Sequence, residues 1–171
     1  MLLRIARTGY PGAVSTTAIV LIVSAAIGLL VALLWLVKRW LMSMVATARA
    51  KLDGIAAGRV AKRIDERANF FGVASGAAMQ ARGNGVLALY DTELVFVQLM
   101  IDRVLQIPVA SITEVTTTKA FKGKTILRDL LKLTWSTAGA TETAAWFVVD
   151  LQGWLDALRR TQPAAASAAA Q

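Results

Sequence analysis

The chain has 171 residues, 56% of them hydrophobic and 18% charged, with a formal net charge of +8. That is more apolar than a soluble domain, at roughly 45–50% apolar and about 25% charged, and it excludes a disordered chain or a collagen-like repeat. Cysteine and histidine are absent, which excludes a disulfide framework, thiolate chemistry, His/Cys zinc sites and any triad that needs imidazole as its base.

Residues 1–12 form a short N-terminal tail carrying Arg4 and Arg7. Residues 13–37, Ala13 through Val37, are 25 consecutive positions without a charge, and about 18 are enough to propose a transmembrane helix. As a helix the run is about 37 Å long, slightly more than the roughly 30 Å hydrocarbon layer. A signal peptide has an apolar region of about 7–15 residues. Here the run is longer and Lys38-Arg39-Trp40 follows directly, so an uncleaved anchor is expected. Tyr10, Trp35 and Trp40 flank the run as interfacial aromatics do. Ser24, Gly28 and Ala32 recur every fourth residue as a small-residue stripe, a candidate surface for helix–helix packing within a membrane complex or a homo-oligomer.

Residues 38–67 are expected to continue as a basic juxtamembrane helix. They hold eight basic and three acidic side chains, whereas residues 68–171 hold nine and eight. The basic excess therefore sits beside the span, a pattern suited to anionic lipid headgroups and not to nucleic acid. Lys38, Arg39, Arg49 and Lys51 are the candidate lipid contacts. Eight basic residues after the span against two before it place the C-terminal domain in the cytoplasm by the positive-inside rule. Leu41, Val45, Ala48, Leu52 and Ile55 form a heptad-like seam. It suits a dimer stalk, a helix lying on lipid, or a helix packed on its own domain. Lys62-Arg63-Ile64-Asp65-Glu66-Arg67 resembles a charged helix surface.

From residue 68 to about 160 the pattern turns to short strands. Asn69 to Val73 opens the series, and Arg82-Gly83-Asn84-Gly85 is a turn signal. Strands follow over Val86–Tyr90, Glu93–Met100 and Arg103–Ile107, with Asp91-Thr92 between the first two and Pro108 closing the third. Ile112–Thr118 is rich in β-branched residues, and Phe121-Lys122-Gly123-Lys124 turns the chain. Leu131, Leu133 and Trp135 alternate with Lys132 and Thr134. Ala138-Gly139-Ala140 is a turn, and Thr143–Val149 the last strand. Asp150 caps a helix whose apolar face is Leu151, Trp154, Leu155 and Leu158. The expected fold is α+β: a transmembrane helix, then an antiparallel β-barrel or sandwich closed by a C-terminal helix. Residues 161–171 read as a disordered Ala-rich tail.

Two segments carry a resemblance: Gly85-Val-Leu-Ala-Leu-Tyr-Asp-Thr-Glu-Leu-Val-Phe96 and Ile107-Pro-Val-Ala-Ser-Ile-Thr-Glu-Val115. With the closing stretch Ala144 to Trp154, they resemble bacterial pleckstrin-homology-like (PH-like) domains related to GRAM domains, although Tyr90 stands where threonine is common. The resemblance covers just over half the chain and implies a non-catalytic module that binds lipid or protein. Some pleckstrin-homology domains bind phosphoinositide through basic residues around their first hairpin, where this chain offers only Arg82.

Lys119, Phe121, Lys122 and Lys124 at a loop tip are further candidate lipid contacts, the cations for headgroups and the ring for the interface. Gly123-Lys124-Thr125 lacks the upstream glycine and the strand-to-helix setting of a P-loop, and Gly83-Asn84-Gly85 is too short for a dinucleotide fingerprint. Asp91, Glu93 and Asp102 are explained by turns and strand ends, not metal binding. Trp135, Trp146 and Trp154 sit on core-facing periods. The expectation is a non-enzymatic module without metal or cofactor, anchored in the inner membrane, with a protein partner or anionic lipid as ligand. The alternative is an accessory subunit assembled through its span.

Overall fold

The computed structural model describes residues 15–75, 82–101, 103–137 and 139–168, with the side chains of 163–168 left out. The chain divides into two compact units, Met1–Leu41 and Met42–Gln171.

Helix α1, Thr16–Ala56, belongs to both units. Ser15 starts it, its hydroxyl oxygen accepting the Ala18 N–H at 3.2 Å, which satisfies one of the donors orphaned at a helix start. In the first unit the apolar side chains of α1 stay exposed, and the helix is long and apolar enough to cross a membrane.

The juxtamembrane helix expected to reach residue 67 stops at Ala56. Ala57 (φ 48°) and Gly58 (φ 84°) turn left-handed, the usual way for a helix to end. Arg59 then covers the last carbonyls: its Nε donates to Ala56 O at 2.9 Å and its Nη2 to Ile55 O at 3.0 Å. The charged stretch that resembled helix surface instead opens strand β1, Arg63–Val73.

The remaining strands are β2 (Gly83–Leu89), β3 (Glu93–Gln98), β4 (Arg103–Pro108), β5 (Ile112–Thr118), β6 (Leu130–Thr137) and β7 (Ala140–Phe147). All pairs are antiparallel, in the order β4-β3-β2-β1-β7-β6-β5. The sheet is open, with β4 and β5 as its edges, where a closed barrel was one of the two expected forms. β1 carries two register shifts, between Asp65 and Ala68 toward β2 and between Phe70 and Val73 toward β7. Such bulges bend a strand and raise its twist, so one strand serves both halves of the sheet.

Leu87, Leu89, Leu94 and Phe96 from one half meet Leu131, Leu133, Trp135 and Trp146 from the other in a single core. Phe70 lies between them, 5.2 Å from the Phe96 ring and 5.4 Å from that of Trp146. The alternate residues Val86, Ala88, Tyr90, Val95 and Val97 pack on Ala48, Leu52 and Ala56 of α1. β2 and β3 are thus covered on both faces, which accounts for their unbroken apolar runs. From Val45 to Ile55 the heptad-like seam packs on its own domain, while Leu41 stays exposed.

Asn84-Gly85 lies inside β2, opposite Asn69 and Ala68, and not at a turn. A Cβ on Gly85 would collide with the Phe96 ring and the Val97 carbonyl, so this glycine serves close packing. Helix α2, Leu151–Ala168, closes the core with Trp154, Leu155 and Leu158. The tail expected to be irregular from residue 161 is helical to Ala168. The Thr161 hydroxyl donates to Ala157 O at 2.8 Å, and Gln162 Nε2 to Ile112 O at 2.9 Å. These bonds carry the helix past Arg160.

Candidate functional site

The second unit carries an open groove lined mostly by apolar surface. Met44, Thr47, Ala48 and Lys51 of α1 form one wall, and Val97 through Ile101, from the end of β3 into the β3–β4 turn, form the other; the volume is about 370 Å³. Met100 occupies the turn with φ 65° and is 77% exposed, beside the exposed Ile101. The Arg103 N–H donates to Ile101 O at 2.7 Å and closes the turn. Sequence periodicity carried the strand through Met100 and gave this turn no role. A left-handed backbone cannot be read from a methionine, since the position favours Gly or Asn.

A second groove, of about 480 Å³, lies where β1 meets the start of α2. Its Arg49, Arg63 and Arg67 are balanced by Asp65, Glu66 and Asp150, so it is no anion trap. Buried Asp65 accepts the Arg67 N–H at 2.8 Å and the Val149 N–H at 2.6 Å. Asp150 caps α2 through the Gly153 N–H at 3.0 Å and takes an ion pair from Arg63, whose guanidinium lies 5.6 Å from the centre of the Trp154 ring. The Gly153 N–H and Arg63 together hold the Asp150 carboxyl below its ordinary range. These groups bind the fold and leave no convergent pair for chemistry.

The predicted lipid contacts scatter. Lys38 and Arg39 are exposed on α1, with Arg39 5.7 Å from the centre of the Trp35 ring. Arg49 pairs with Glu66 at 2.6 Å and Asp53 at 3.7 Å. Lys51 lines the first groove. In the β5–β6 loop Lys119 is exposed, but Phe121 is only 8% exposed and packs with Phe71, Leu130 and Ala145. The ring expected to enter the interface therefore faces inward, because a large apolar patch on the outer face of β1, β6 and β7 needs cover. Lys122 Nζ donates to Val73 O at 3.1 Å and Ala74 O at 3.3 Å, which holds the loop down. Lys124 pairs with Phe121 through the backbone. A large apolar residue that this loop does expose is Leu127, 94% exposed at φ 59°. Ser24, Gly28 and Ala32 lie exposed along α1.

Asp91 and Glu93 are held by Lys62 at 2.6 Å and Arg59 at 2.5 Å, while Asp102 lies outside the described residues. Among the described residues no cluster of three or more acidic side chains could hold a metal ion. Burial pushes the Tyr90 hydroxyl above its ordinary pKa, and Asp53 adds to this against the nearby Arg59. Burial also pushes Glu142 up, but the Ser75 hydroxyl and the N–H groups of Ser75, Thr143 and Ala74 outweigh it and hold the carboxyl below its ordinary range.

No family model matches the chain, and no curated protein is similar to it. Among solved structures, the C-terminal domain of an unknown protein from Leishmania infantum is similar at 14% identity and TM-score 0.48, over 69% of this chain and 97% of that one. A Vps36 N-terminal PH domain is similar at 14% identity and TM-score 0.43, over 63% and 81%. At these values the similarities say nothing of ligands.

Proposed function

We propose that this protein is a membrane-anchored, non-enzymatic interaction module: a PH-like domain held at the inner face of the cell membrane, where it binds a protein partner or anionic lipid. The single observation that supports this most is the first unit's helix. Its apolar side chains are exposed over a stretch long enough to cross a bilayer, and exposed apolar surface on that scale calls for a non-aqueous surrounding. The strand order with a closing C-terminal helix matches what the PH-like resemblance implies. The lack of His and Cys argues against most acid–base and nucleophilic chemistry.

Lys38 and Arg39 are the cations best placed for headgroups, being exposed directly after the uncharged run. A reporter fused after Arg160 tests the orientation: activity on the cytoplasmic side supports it, and activity on the far side alone overturns it. Exchanging the span for an unrelated one separates a tethered module, which keeps working, from a subunit assembled through Ser24, Gly28 and Ala32, which does not. Affinity capture from membranes then identifies the partner.

A further inference from the structure

We propose that β5 is a docking edge for an extended segment of another protein, one whose acidic residues precede its strand-forming stretch. This names a partner class for the second unit and rests on the reading of that unit as an interaction module. It concerns the second unit alone.

The first observation is the open sheet. β5 pairs with β6 on one side, and its other side is an edge. An edge presents a row of backbone N–H and C=O groups, and the chemistry that satisfies such a row is another extended strand. Protein edges are commonly blunted by charge or proline. β4, the other edge, starts at Arg103 and ends at Pro108, which has no N–H to give. β5 has neither device. Six of its seven residues are β-branched, and its one charge, Glu114, meets Lys132 at 3.8 Å. Its register shift lies between Ile112 and Glu114, so Glu114 to Thr118 run in unbroken register with β6. Gln162 of α2 meets the Ile112 carbonyl, upstream of that stretch.

The second observation is charge. Thr118 pairs with Leu130, so the loop between them stands at the C-terminal end of this edge. It holds Lys119, Lys122, Lys124 and Arg128 against Asp129. Lys119 and Arg128 are exposed and line a recess of about 340 Å³ with Thr125, Leu127 and Asp129. Among the described residues, Lys119, Lys124 and Arg128 enter no ion pair, whereas Arg49, Arg59, Lys62 and Arg63 all do. The loop is held in place, because the Thr125 hydroxyl donates to Lys119 O at 2.8 Å and Lys122 ties it to the end of β1. Fixed cations without a counter-charge favour an acidic partner.

The two observations specify one occupant. Every pair in this sheet is antiparallel, and an antiparallel newcomer sets its N-terminal end beside Thr118 and the cations. Its acidic residues therefore come first. A lipid headgroup engages the cations but leaves the backbone row unpaired, whereas an acidic strand satisfies both.

The test uses the full chain in phosphatidylcholine nanodiscs and a dye-labelled probe, Glu-Glu-Glu-Thr-Val-Thr-Val-Thr, read by fluorescence anisotropy. Binding is expected to weaken by about tenfold or more when Lys119→Glu and Arg128→Glu are combined. Two further probes carry N-methyl groups on alternate amides of the strand-forming stretch, each on the opposite set. A strand bonds to one neighbour through one set only, so one probe is expected to bind like the parent and the other to lose about tenfold or more. If both methylated probes bind alike, no strand is added and the proposal fails. If the double variant binds the probe as the parent chain does, the cations take no part and the acidic partner is overturned. Amide exchange in β5 that slows with the chain's own concentration means that a second copy holds the edge, which also overturns it. A partner captured from membranes that protects other amides and leaves β5 exchanging freely overturns this inference alone. If the chain captures no partner and binds no anionic lipid, the module reading falls and takes this inference with it.

Discussion

The two parts of α1 are one helix under two different rules. Up to Leu41 none of its apolar side chains is buried, whereas from Met42 onward Ala48, Leu52 and Ala56 are buried against β2 and β3. The first part is apolar all round, so no single packing face could bury it. The second carries a stripe, and a stripe needs only one sheet face. The contrast shows that hydrophobicity alone does not tell an exposed apolar helix from a core-facing one; its distribution around the axis does.

The strongest way to break this contrast is to truncate one leucine in each part. Leu52→Ala is expected to destabilise the domain by about 2–5 kcal/mol, since Leu52 is fully buried. Leu29→Ala, at an exposed site, is expected to change domain stability by less than about 0.5 kcal/mol. Denaturation of the reconstituted chain, followed by tryptophan fluorescence, measures both. Equal effects would mean that the first part also packs on protein.

Gly85→Ala comes next. Its Cβ has no room beside the Phe96 ring, and overpacking of this kind costs about 1–3 kcal/mol. Asp65→Ala strands the N–H groups of Arg67 and Val149, with an expected loss of about 1–3 kcal/mol.

The pH dependence sharpens the picture of the second unit. The Glu142 carboxyl, ordinarily near 4.5, is held lower in the fold. It therefore contributes stability above that value and loses the contribution as pH falls through its depressed folded pKa. Asp150, ordinarily near 3.8, acts in the same direction at the α2 cap. The melting temperature is expected to fall on acidification below about pH 4.5, and less steeply for Glu142→Gln. The smallest effect is expected from Met100→Gly. Relief of the left-handed backbone against the entropy of glycine makes it neutral to about 1 kcal/mol stabilising in thermal melts.

Much of the second unit was legible in advance. The alternation of Leu131, Leu133 and Trp135 and the i, i+3, i+4, i+7 face of Leu151, Trp154, Leu155 and Leu158 both report a core directly, because secondary structure has a fixed period. The lapses have one kind of cause. Gly58 ends a helix, and Gly85 admits a ring, yet as letters they are the same residue. Phe121 read as a membrane-seeking ring because its neighbours are lysines, but Phe71, far away in sequence, and Leu130 at the start of β6 claim it.

Composition and periodicity by themselves determined the uncharged run, the basic stretch after it, the strand-then-helix order and the absence of His and Cys. Those features are local or additive, so they survive without coordinates. Only the tertiary structure decided that the seam of α1 packs on its own sheet, that the sheet stays open at β4 and β5, and that Met100 and not Phe121 stands out from the surface. Each of these turns on contacts between residues far apart in sequence and on backbone angles that a side chain's identity does not reveal.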